Sequence, residues 1–366
     1  MKVTAAVLPE PRMKLEIKEL ELDSPGDNEI LVRVVATGIS DIDLAAISQA
    51  LPLPSPIVLG HESAGIIESV GYNIKGFQPG DPVIMTFNSC GTCNNCLAGQ
   101  PAYCRRFMQL NFLGHREDGS FTMKDGKKHV AASFCSQSSF ADHAIAYPRN
   151  LVKIPPSFPL DHAGVLGYSF SNGAGIVTHH FKPMAGQGIA VFGTNAQALS
   201  AIFTASLLGC EPIIAVDHLD SRLKIAEAWG ASHSINNSMS SPWEVIFNEI
   251  TDGGVDYCLE TTGNNETITQ AMASLKTGGK CICSAINQAP ALEIDNTFCS
   301  MGKSLEFVLM ANYQPKLFIP ALISQFKKEE FSYDSIMKNY PLSAINQAIE
   351  DMQNGSVIKP VIQMPR

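Results

Sequence analysis

Hydrophobic and polar positions follow two different patterns in the two parts of this chain. In the first part, apolar and polar residues alternate in EILVRVVATGI (29–39), as in a half-buried strand, and prolines and glycines recur up to about residue 155. Past residue 160 the strand-length segments are almost continuously apolar: GIAVFG (188–193), PIIAVD (212–217), GVDYCLETTG (254–263) and KCICSAI (280–286). Buried strands that alternate with helices predict a parallel sheet covered on both faces.

This change of pattern predicts an α/β protein with two domains. A doubly wound parallel sheet of the Rossmann type is expected over 161–300, with helices over AQALSAIFTASLLG, SRLKIAEAWGA and ETITQAMASLKTGG. A β-rich domain is expected over 1–160 and is completed by 301–366, where PKLFIPALISQFKK and LSAINQAIEDMQNG are helical and VIKPVIQM contains a strand. The polar stretch 115–130 is expected to be an exposed loop.

Composition and charge narrow the class of protein. The 366 residues are 45% hydrophobic and 17% charged, which is usual for a globular enzyme and argues against a disordered or collagen-like chain. A net charge of −9 without any tract rich in Lys or Arg argues against a nucleic-acid partner. No apolar stretch reaches the roughly 18 residues of a membrane span, and no secretion signal is evident. We therefore expect a cytoplasmic protein with no membrane partner.

Four of the ten cysteines lie close together in the sequence. Cys90, Cys93, Cys96 and Cys104 follow the spacing C-x2-C-x2-C-x7-C. Four thiolates fill a tetrahedron around Zn²⁺ and leave no open position, so the spacing predicts one structural zinc ion in a lobe over about residues 88–106. Reduced surface thiols and an iron–sulfur cluster are the alternatives, and no redox motif supports the cluster. The other six cysteines are scattered, which favours a reducing compartment.

Three features together resemble the zinc-dependent medium-chain alcohol dehydrogenases: GHESAG at 60–65, the cysteine lobe, and Gly193 at the start of a nucleotide-binding turn. QSSFADHA (137–144) and the REDGS segment are most similar to the aryl-alcohol dehydrogenase branch. The resemblance covers essentially the whole chain. It implies a GroES-like catalytic domain, a Rossmann cofactor domain, a cleft between them, a small hydrophobic substrate, and assembly into homodimers or homotetramers.

The residues that hold the catalytic zinc in that family are largely replaced here. The family uses a Cys, the His of the GHE motif and a second Cys, and Ser40, His61 and Tyr168 stand at those positions. A serine hydroxyl is not ionised near neutral pH, and a tyrosine oxygen lies further from its backbone than a thiolate does. By the same resemblance, Ile42 and Ala45 occupy the positions of the proton relay and cannot move a proton. We therefore expect no catalytic zinc.

The residues that remain can still carry acid–base chemistry. Tyr168 is a candidate to donate a proton or a hydrogen bond to a substrate oxygen. His61, oriented by Asp43 as the resemblance implies, is a candidate acid or base. Ser40 and Glu62 complete the set of catalytic candidates. In the alternative interpretation, Tyr168 only fills the former metal space and His61 is an internal histidine.

The cofactor fingerprint of the family, G-x-G-x-x-G, is present in altered form as Gly193, Asn195 and Ala198. The first glycine keeps the tight turn, Asn195 adds a side chain where the backbone approaches the pyrophosphate, and alanine is an accepted third residue. Asp217, at the end of the second strand, would bind the ribose hydroxyls and favour NAD(H) over NADP(H). Lys359 matches a basic residue that meets the pyrophosphate in relatives. We expect NAD(H); the alternative is a Rossmann fold kept for architecture alone.

These observations favour one function and leave others open. The favoured function is metal-independent hydride transfer from a nicotinamide cofactor to an activated C=C or C=N bond of a small hydrophobic substrate. A redox-neutral cyclase, isomerase or lyase and a conventional aryl or primary alcohol dehydrogenase are the alternatives, and a binding or scaffold protein is a further one. Phe87 and Phe140 are candidates for an apolar substrate pocket or, equally, for the core.

Overall fold

The computed structural model describes residues 1–286, 291–328 and 332–365. The chain forms two compact units, one made of residues 1–169 and 314–366 and the other of residues 170–313. No helix in the described ranges is long and apolar enough to cross a membrane. One unit is rich in β-strands and the other contains a parallel sheet, so the predicted α/β class is confirmed.

The strands, in chain order, are β1 (Lys2–Leu8), β2 (Glu16–Leu22), β3 (Ile30–Gly38), β4 (Ile57–Val58), β5 (Glu62–Val70), β6 (Pro82–Met85), β7 (Met123–Asp125), β8 (Lys128–Val130), β9 (His143–Ala146), β10 (Leu151–Lys153), β11 (Ile189–Phe192), β12 (Ile213–Asp217), β13 (His233–Asn236), β14 (Val255–Glu260), β15 (Leu275–Cys283), β16 (Ser304–Phe307), β17 (Met337–Pro341) and β18 (Lys359–Gln363). The α-helices are α1 (Asp41–Ser48), α2 (Asn94–Leu97), α3 (Phe107–Phe112), α4 (Leu160–Ala163), α5 (Ser169–Gly175), α6 (Ala196–Leu207), α7 (Asp220–Ala228), α8 (Pro242–Val245), α9 (Asn265–Ala273), α10 (Asn296–Ser300), α11 (Pro315–Lys328) and α12 (Ile345–Gln353). Short 3₁₀ and π turns link several of them.

The first unit contains two sheets. One has the strand order β4-β1-β2-β7-β8, and the other has the order β10-β6-β5-β3-β18-β17, with β9 also paired to β3. β3 is buried along most of its length because it has neighbours on both sides. Two residues separate its last residue from the start of α1, and β5 begins next to it in the sheet. Candidate side chains at the end of β3 and the start of β5 are therefore brought together.

The second unit is a six-stranded parallel sheet in the order β13-β12-β11-β14-β15-β16. The strand order reverses at β11, which is the arrangement of a doubly wound dinucleotide-binding sheet. Ile189–Phe192 and Ile213–Asp217 are buried throughout, as their continuously apolar sequence predicts for central strands with covered faces. Helices over 196–207, 220–228 and 265–273 lie where the sequence predicts helices.

Two sequence expectations differ from the structure. The stretch 115–130 is not a plain exposed loop, because β7 and β8 form a hairpin in it and Met123 pairs with Leu22 of β2. Arg116 fixes its first part by donating to both carboxylate oxygens of the buried Glu29, at 2.7 and 3.1 Å. The helix predicted to run to residue 279 ends at Ala273, since β15 starts at Leu275 and pairs with β14.

Candidate active site

His61, which directly precedes β5, is held through both ring nitrogens. Its Nε2 lies 2.9 Å from Oγ of Ser40, and its Nδ1 lies 3.1 Å from Oδ1 of Asp43. The exposed fractions are 2% for His61, 5% for Ser40 and 0% for Asp43, so these hydrogen bonds are almost completely shielded from solvent. A carboxylate only accepts hydrogen bonds, so the network assigns the ring proton to Nδ1 and leaves Nε2 to accept the Ser40 hydroxyl.

The start of α1 explains why these three residues meet. Ser40 is the N-cap, and Ile42 N–H donates to its Oγ at 3.4 Å. In return Asp43 accepts the N–H of Ser40 on Oδ2 at 3.0 Å, which completes a capping box. Gly60 N–H donates to the other oxygen of Asp43 at 3.2 Å. The carboxylate therefore fixes the helix start and the histidine ring at once.

Glu62 forms an ion pair with Lys359 in the interior of the first unit. Both side chains are buried, with 0% and 1% of their surface exposed. Lys359 Nζ also donates to the Ile39 carbonyl at 2.8 Å and to Oγ of Ser169 at 3.1 Å, and Ser169 N–H donates to Glu62 Oε1 at 2.8 Å. A Cβ at Gly38 would collide with the Glu62 carboxylate, so glycine is required at this close approach. Lys359, which the sequence suggested for the pyrophosphate, makes these contacts within its own unit.

Two aromatic rings pack edge-on against His61. The Tyr168 ring lies 4.7 Å away between centroids at an interplanar angle of 80°, and the Phe134 ring lies 5.6 Å away at 84°. Phe134 is fully buried and Tyr168 is half-buried. Gln137 Nε2 donates to the His61 carbonyl at 2.9 Å and so fixes the backbone. Phe134 and Gln137 were not predicted from the sequence, because nothing in a chain segment so distant marks its contact with residue 61.

This arrangement does not fit a catalytic zinc ion. The ring nitrogen of His61 that Asp43 leaves available, Nε2, contacts the neutral hydroxyl of Ser40, and Glu62 is paired with Lys359. The hydroxyl of a serine does not replace a thiolate as a zinc ligand. In the described residues, the four cysteines form the only group of three or more ligating side chains close enough to share an ion.

The cysteine cluster does fit zinc, as the spacing predicts. The four sulfur atoms lie within 4.8 Å of one another. Sγ of Cys96 is 3.9 Å from that of Cys90 and 3.6 Å from that of Cys93, close to the roughly 3.8 Å that Zn–S bonds of about 2.3 Å require in a tetrahedron. Burial works to raise the pKa of Cys90, but hydrogen bonds from Thr92 and Cys93 outweigh it and lower the pKa to about 5. The predicted structural zinc site is therefore confirmed as a compatible four-thiol cluster, Cys90, Cys93, Cys96 and Cys104.

The fingerprint residues lie at the turn between β11 and α6 in the second unit. Gly193 has φ +92°, and a Cβ there would collide with the Thr261 hydroxyl, so this turn needs glycine. Asn195 is the N-cap of α6, and its Oδ1 accepts the N–H of Ala198 at 3.0 Å. Its Nδ2 donates to the Thr261 carbonyl at 3.3 Å. The asparagine side chain therefore occupies one of the helix amides that an anion would otherwise use.

Asp217 ends β12 and is 6% exposed. Its Oδ2 accepts the Thr194 hydroxyl at 2.6 Å, and its Oδ1 accepts the N–H of Leu219 at 3.0 Å. The carboxylate thus lies at the carboxyl end of the sheet, beside the β11–α6 turn, where an adenosine ribose binds in folds of this type. These donors fix its orientation, and Nδ1 of the neighbouring His218 lies 3.2 Å from the same Oδ1.

The five catalytic candidates, Ser40, Asp43, His61, Glu62 and Tyr168, all belong to the first unit, whereas Gly193, Asn195, Ala198 and Asp217 belong to the second. Phe87 and Phe140 are 4% and 0% exposed. Phe87 packs against Phe107 at 5.8 Å between ring centroids, and Phe140 packs against Gly60. Both are therefore core residues in the first unit.

Comparison with known proteins shows that this chain is similar to dehydrogenases in both sequence and structure. Residues 26–156 match the alcohol dehydrogenase GroES-like domain and residues 198–324 match the zinc-binding dehydrogenase domain. The chain is 32% identical to geraniol dehydrogenase of Castellaniella defragrans over 98% of this chain and 96% of that one. It superposes with a TM-score of 0.96 on an alcohol dehydrogenase zinc-binding domain protein from Burkholderia ambifaria, at 37% identity. Its TM-score with benzyl alcohol dehydrogenase from Acinetobacter calcoaceticus is 0.95, at 36% identity. Each of these two superpositions covers the whole of this chain and the whole of the other.

Proposed function

Because the chain belongs to the zinc-type medium-chain alcohol dehydrogenase family, we propose that this oxidoreductase is a metal-independent reductase of activated C=C or C=N bonds in small hydrophobic molecules. The observation that supports the proposal is that Nε2 of His61 contacts the Ser40 hydroxyl, where a thiolate would be needed for a catalytic zinc, and that Glu62 is paired with Lys359. A C=C bond conjugated with a carbonyl, or an iminium carbon, is already electrophilic. Such substrates need a hydrogen-bond donor and not a Lewis acid.

The side chains of the first unit supply that donor and a proton reservoir. Tyr168, half-buried against His61, is proposed to donate a hydrogen bond to the substrate oxygen as negative charge develops there. Asp43 holds the Nδ1 proton of His61, so Nε2 is available to take or return one proton through the Ser40 hydroxyl. Ser40, Asp43 and His61 are almost completely buried, which strengthens the hydrogen bonds among them.

The second unit is proposed to hold the nicotinamide cofactor, which supplies the hydride. Gly193 provides the tight turn and Asp217 a carboxylate for two ribose hydroxyls, which disfavours a 2′-phosphate and selects NADH. The Asn195 cap supports the competing function, a redox-neutral cyclase, isomerase or lyase, because it takes a helix amide from the pyrophosphate. The names of the geraniol and benzyl alcohol dehydrogenases support the third, conventional alcohol oxidation.

Two measurements separate these functions. Calorimetric titration is expected to give micromolar binding of NADH and weaker binding of NADPH. Asp217→Ala is expected to remove this preference for NADH. If neither cofactor binds at millimolar concentration, the proposal is overturned in favour of redox-neutral catalysis. Cinnamaldehyde with NADH is expected to give 3-phenylpropanal, with turnover lowered about 100-fold or more in Tyr168→Phe. Formation of cinnamyl alcohol, or oxidation of benzyl alcohol that a chelator abolishes, would instead establish the conventional activity.

Family membership also leads us to propose a homodimer or homotetramer. Sedimentation equilibrium of the purified protein tests this directly. A monomer at micromolar concentration would contradict it.

A further inference from the structure

Ser40, His61 and Asp43 form a hydrogen-bonded series of hydroxyl, imidazole and carboxylate. The distances are 2.9 Å from Ser40 Oγ to His61 Nε2 and 3.1 Å from His61 Nδ1 to Asp43 Oδ1. Nucleophilic serines are recognised by this geometry, independently of the fold and of the order of the residues in the chain. We propose that Ser40 is an activated nucleophile and that the protein cleaves small aromatic or apolar carboxylic esters, without a nicotinamide cofactor.

The hydrogen bonds around Asp43 assign each member its role. Asp43 accepts from Gly60 N–H and His61 on one oxygen and from Ser40 N–H on the other, so it is fixed as an acceptor. The Nδ1 proton therefore points at Asp43, and the Nε2 lone pair points at Ser40. This is the tautomer in which a histidine removes a proton from a serine hydroxyl, with the carboxylate stabilising the imidazolium that forms.

Capping of α1 alone does not account for the position of Ser40. As an N-cap, its Oγ needs only to accept from backbone amides, and Ile42 N–H supplies such a contact at 3.4 Å. Its own proton is directed to a buried imidazole instead. The positive end of the α1 dipole also favours negative charge on Oγ as the proton leaves. The same atom therefore has a base on one side and an amide donor on the other.

The reaction balances with water as the only co-reactant. Ser40 Oγ forms a bond to the ester carbonyl carbon while His61 Nε2 takes the hydroxyl proton. The bond from that carbon to the alkoxy oxygen then breaks, and His61 returns the proton to the leaving alcohol. Water, deprotonated by the same nitrogen, attacks the acyl-serine and releases the carboxylic acid and the free Ser40 hydroxyl. No electron is transferred.

The neighbours of the imidazole define the substrate class. Phe134 and Tyr168 present ring faces and edges within 5.6 Å of the His61 ring centroid. Tyr168 is half-buried, whereas Ser40 and His61 are nearly enclosed. Because Phe134 is fully buried, Tyr168 is the one of these two rings that a substrate can contact. A small, uncharged acyl group with an aromatic or short alkyl substituent suits this half-buried ring, and a charged or extended ester does not.

Covalent labelling tests the proposal with the whole protein and no cofactor. Phenylmethanesulfonyl fluoride is expected to add one sulfonyl group per chain, and peptide mass spectrometry is expected to locate it on Ser40. Hydrolysis of p-nitrophenyl acetate is expected to be lowered about 100-fold or more by Ser40→Ala and by pretreatment with the reagent. A folded wild-type protein without an adduct on Ser40, or Ser40→Ala with undiminished hydrolysis, would overturn the assignment.

Two further variants keep the test clear of folding defects. Ser40→Asn removes the nucleophile but retains a good N-cap, so it is expected to fold and to remain unlabelled. Ser139→Ala is the matched control, since Ser139 is also buried and hydroxyl-bonded, at 2.9 Å to Thr37, but has no histidine partner. It is expected to be labelled and to hydrolyse the ester like the wild type. Neither assay contains NADH, so their failure and the failure of the proposed reductase function are distinguishable.

Discussion

The two centres of the first unit, the cysteine cluster and the residues around His61, differ in the partners that the chain supplies. The four thiols have mainly one another and backbone amides as neighbours. The candidate ligands around His61 each have a side-chain partner. Ser40 contacts Nε2 of His61, Asp43 contacts Nδ1 of the same ring, and Glu62 is paired with Lys359. The first centre has four sulfur atoms placed to share a cation, whereas the side chains of the second have hydrogen-bond and ion-pair partners within the chain.

The difference shows that charge balance decides whether a buried polar cluster fits a metal. A cluster of soft thiolates favours Zn²⁺. A carboxylate that is already paired with an ammonium group would have to lose that partner before it could bind a metal. The presence of a histidine and an acid in the interior is therefore not sufficient to indicate a zinc site.

Cys93→Ser is the change with the largest expected effect, because it removes one of four ligands from the centre that needs a cation. Metal analysis of the purified wild type is expected to give about one zinc per chain, and the variant about one-tenth of that or less. Cys299→Ser is the matched control, since Cys299 is an exposed free thiol outside the cluster. If the variant keeps its zinc, the ion is held elsewhere and the comparison between the two centres fails.

Ser40→Cys combined with Tyr168→Cys tests the same comparison from the other side. The double variant restores two thiolates beside His61 and is expected to raise the zinc content to about two per chain. Each single variant is expected to remain at about one, because two protein ligands do not make a stable site. A second zinc in the wild type would contradict the proposed metal independence.

Lys359→Met is expected to have the smallest of the three effects, on stability alone. It leaves the fully buried Glu62 without its counter-ion, which costs about 3–5 kcal/mol in the free energy of unfolding. Glu62→Gln added to it is expected to restore most of this loss, and urea denaturation measures both. If Lys359→Met alone were as stable as the wild type, the ion pair of Lys359 with Glu62 would not contribute to the stability of this centre.

The fold and the cysteine cluster were predictable because their signals are local. The ligand atoms of the cluster come from residues at most 14 positions apart, and apolar strands alternate with helices in order along the chain. The ion pair of Lys359 with Glu62 was not predictable in this way. The contact of its Nζ with the Ile39 carbonyl joins positions 320 residues apart, and a family position alone suggested a phosphate partner.

The replacement of the zinc ligands was readable, but its consequence for Ser40 was not. Sequence reasoning identified Ser40 as a poor metal ligand and Asp43 as the residue that orients His61. It did not predict that the Ser40 hydroxyl contacts His61, because that contact joins positions 21 residues apart on two different elements. The capping of α1, by contrast, was readable, since Ser40 and Asp43 form the S-x-x-D pattern of a capping box.

The position of β18 has a consequence for the order in which the molecule is made. This strand lies between β3 and β17 in the sheet, yet it is translated after the whole of the second unit. At roughly 5–20 residues per second on the ribosome, about 15–60 s separate the synthesis of Glu62 from that of Lys359. During that interval the nascent first unit lacks the strand that pairs with residues 36–38 of β3, and the Glu62 carboxylate lacks its ammonium partner. The strands of the second unit are all synthesised within the same interval, so its sheet has every strand available before β18 is added to the sheet of the first unit.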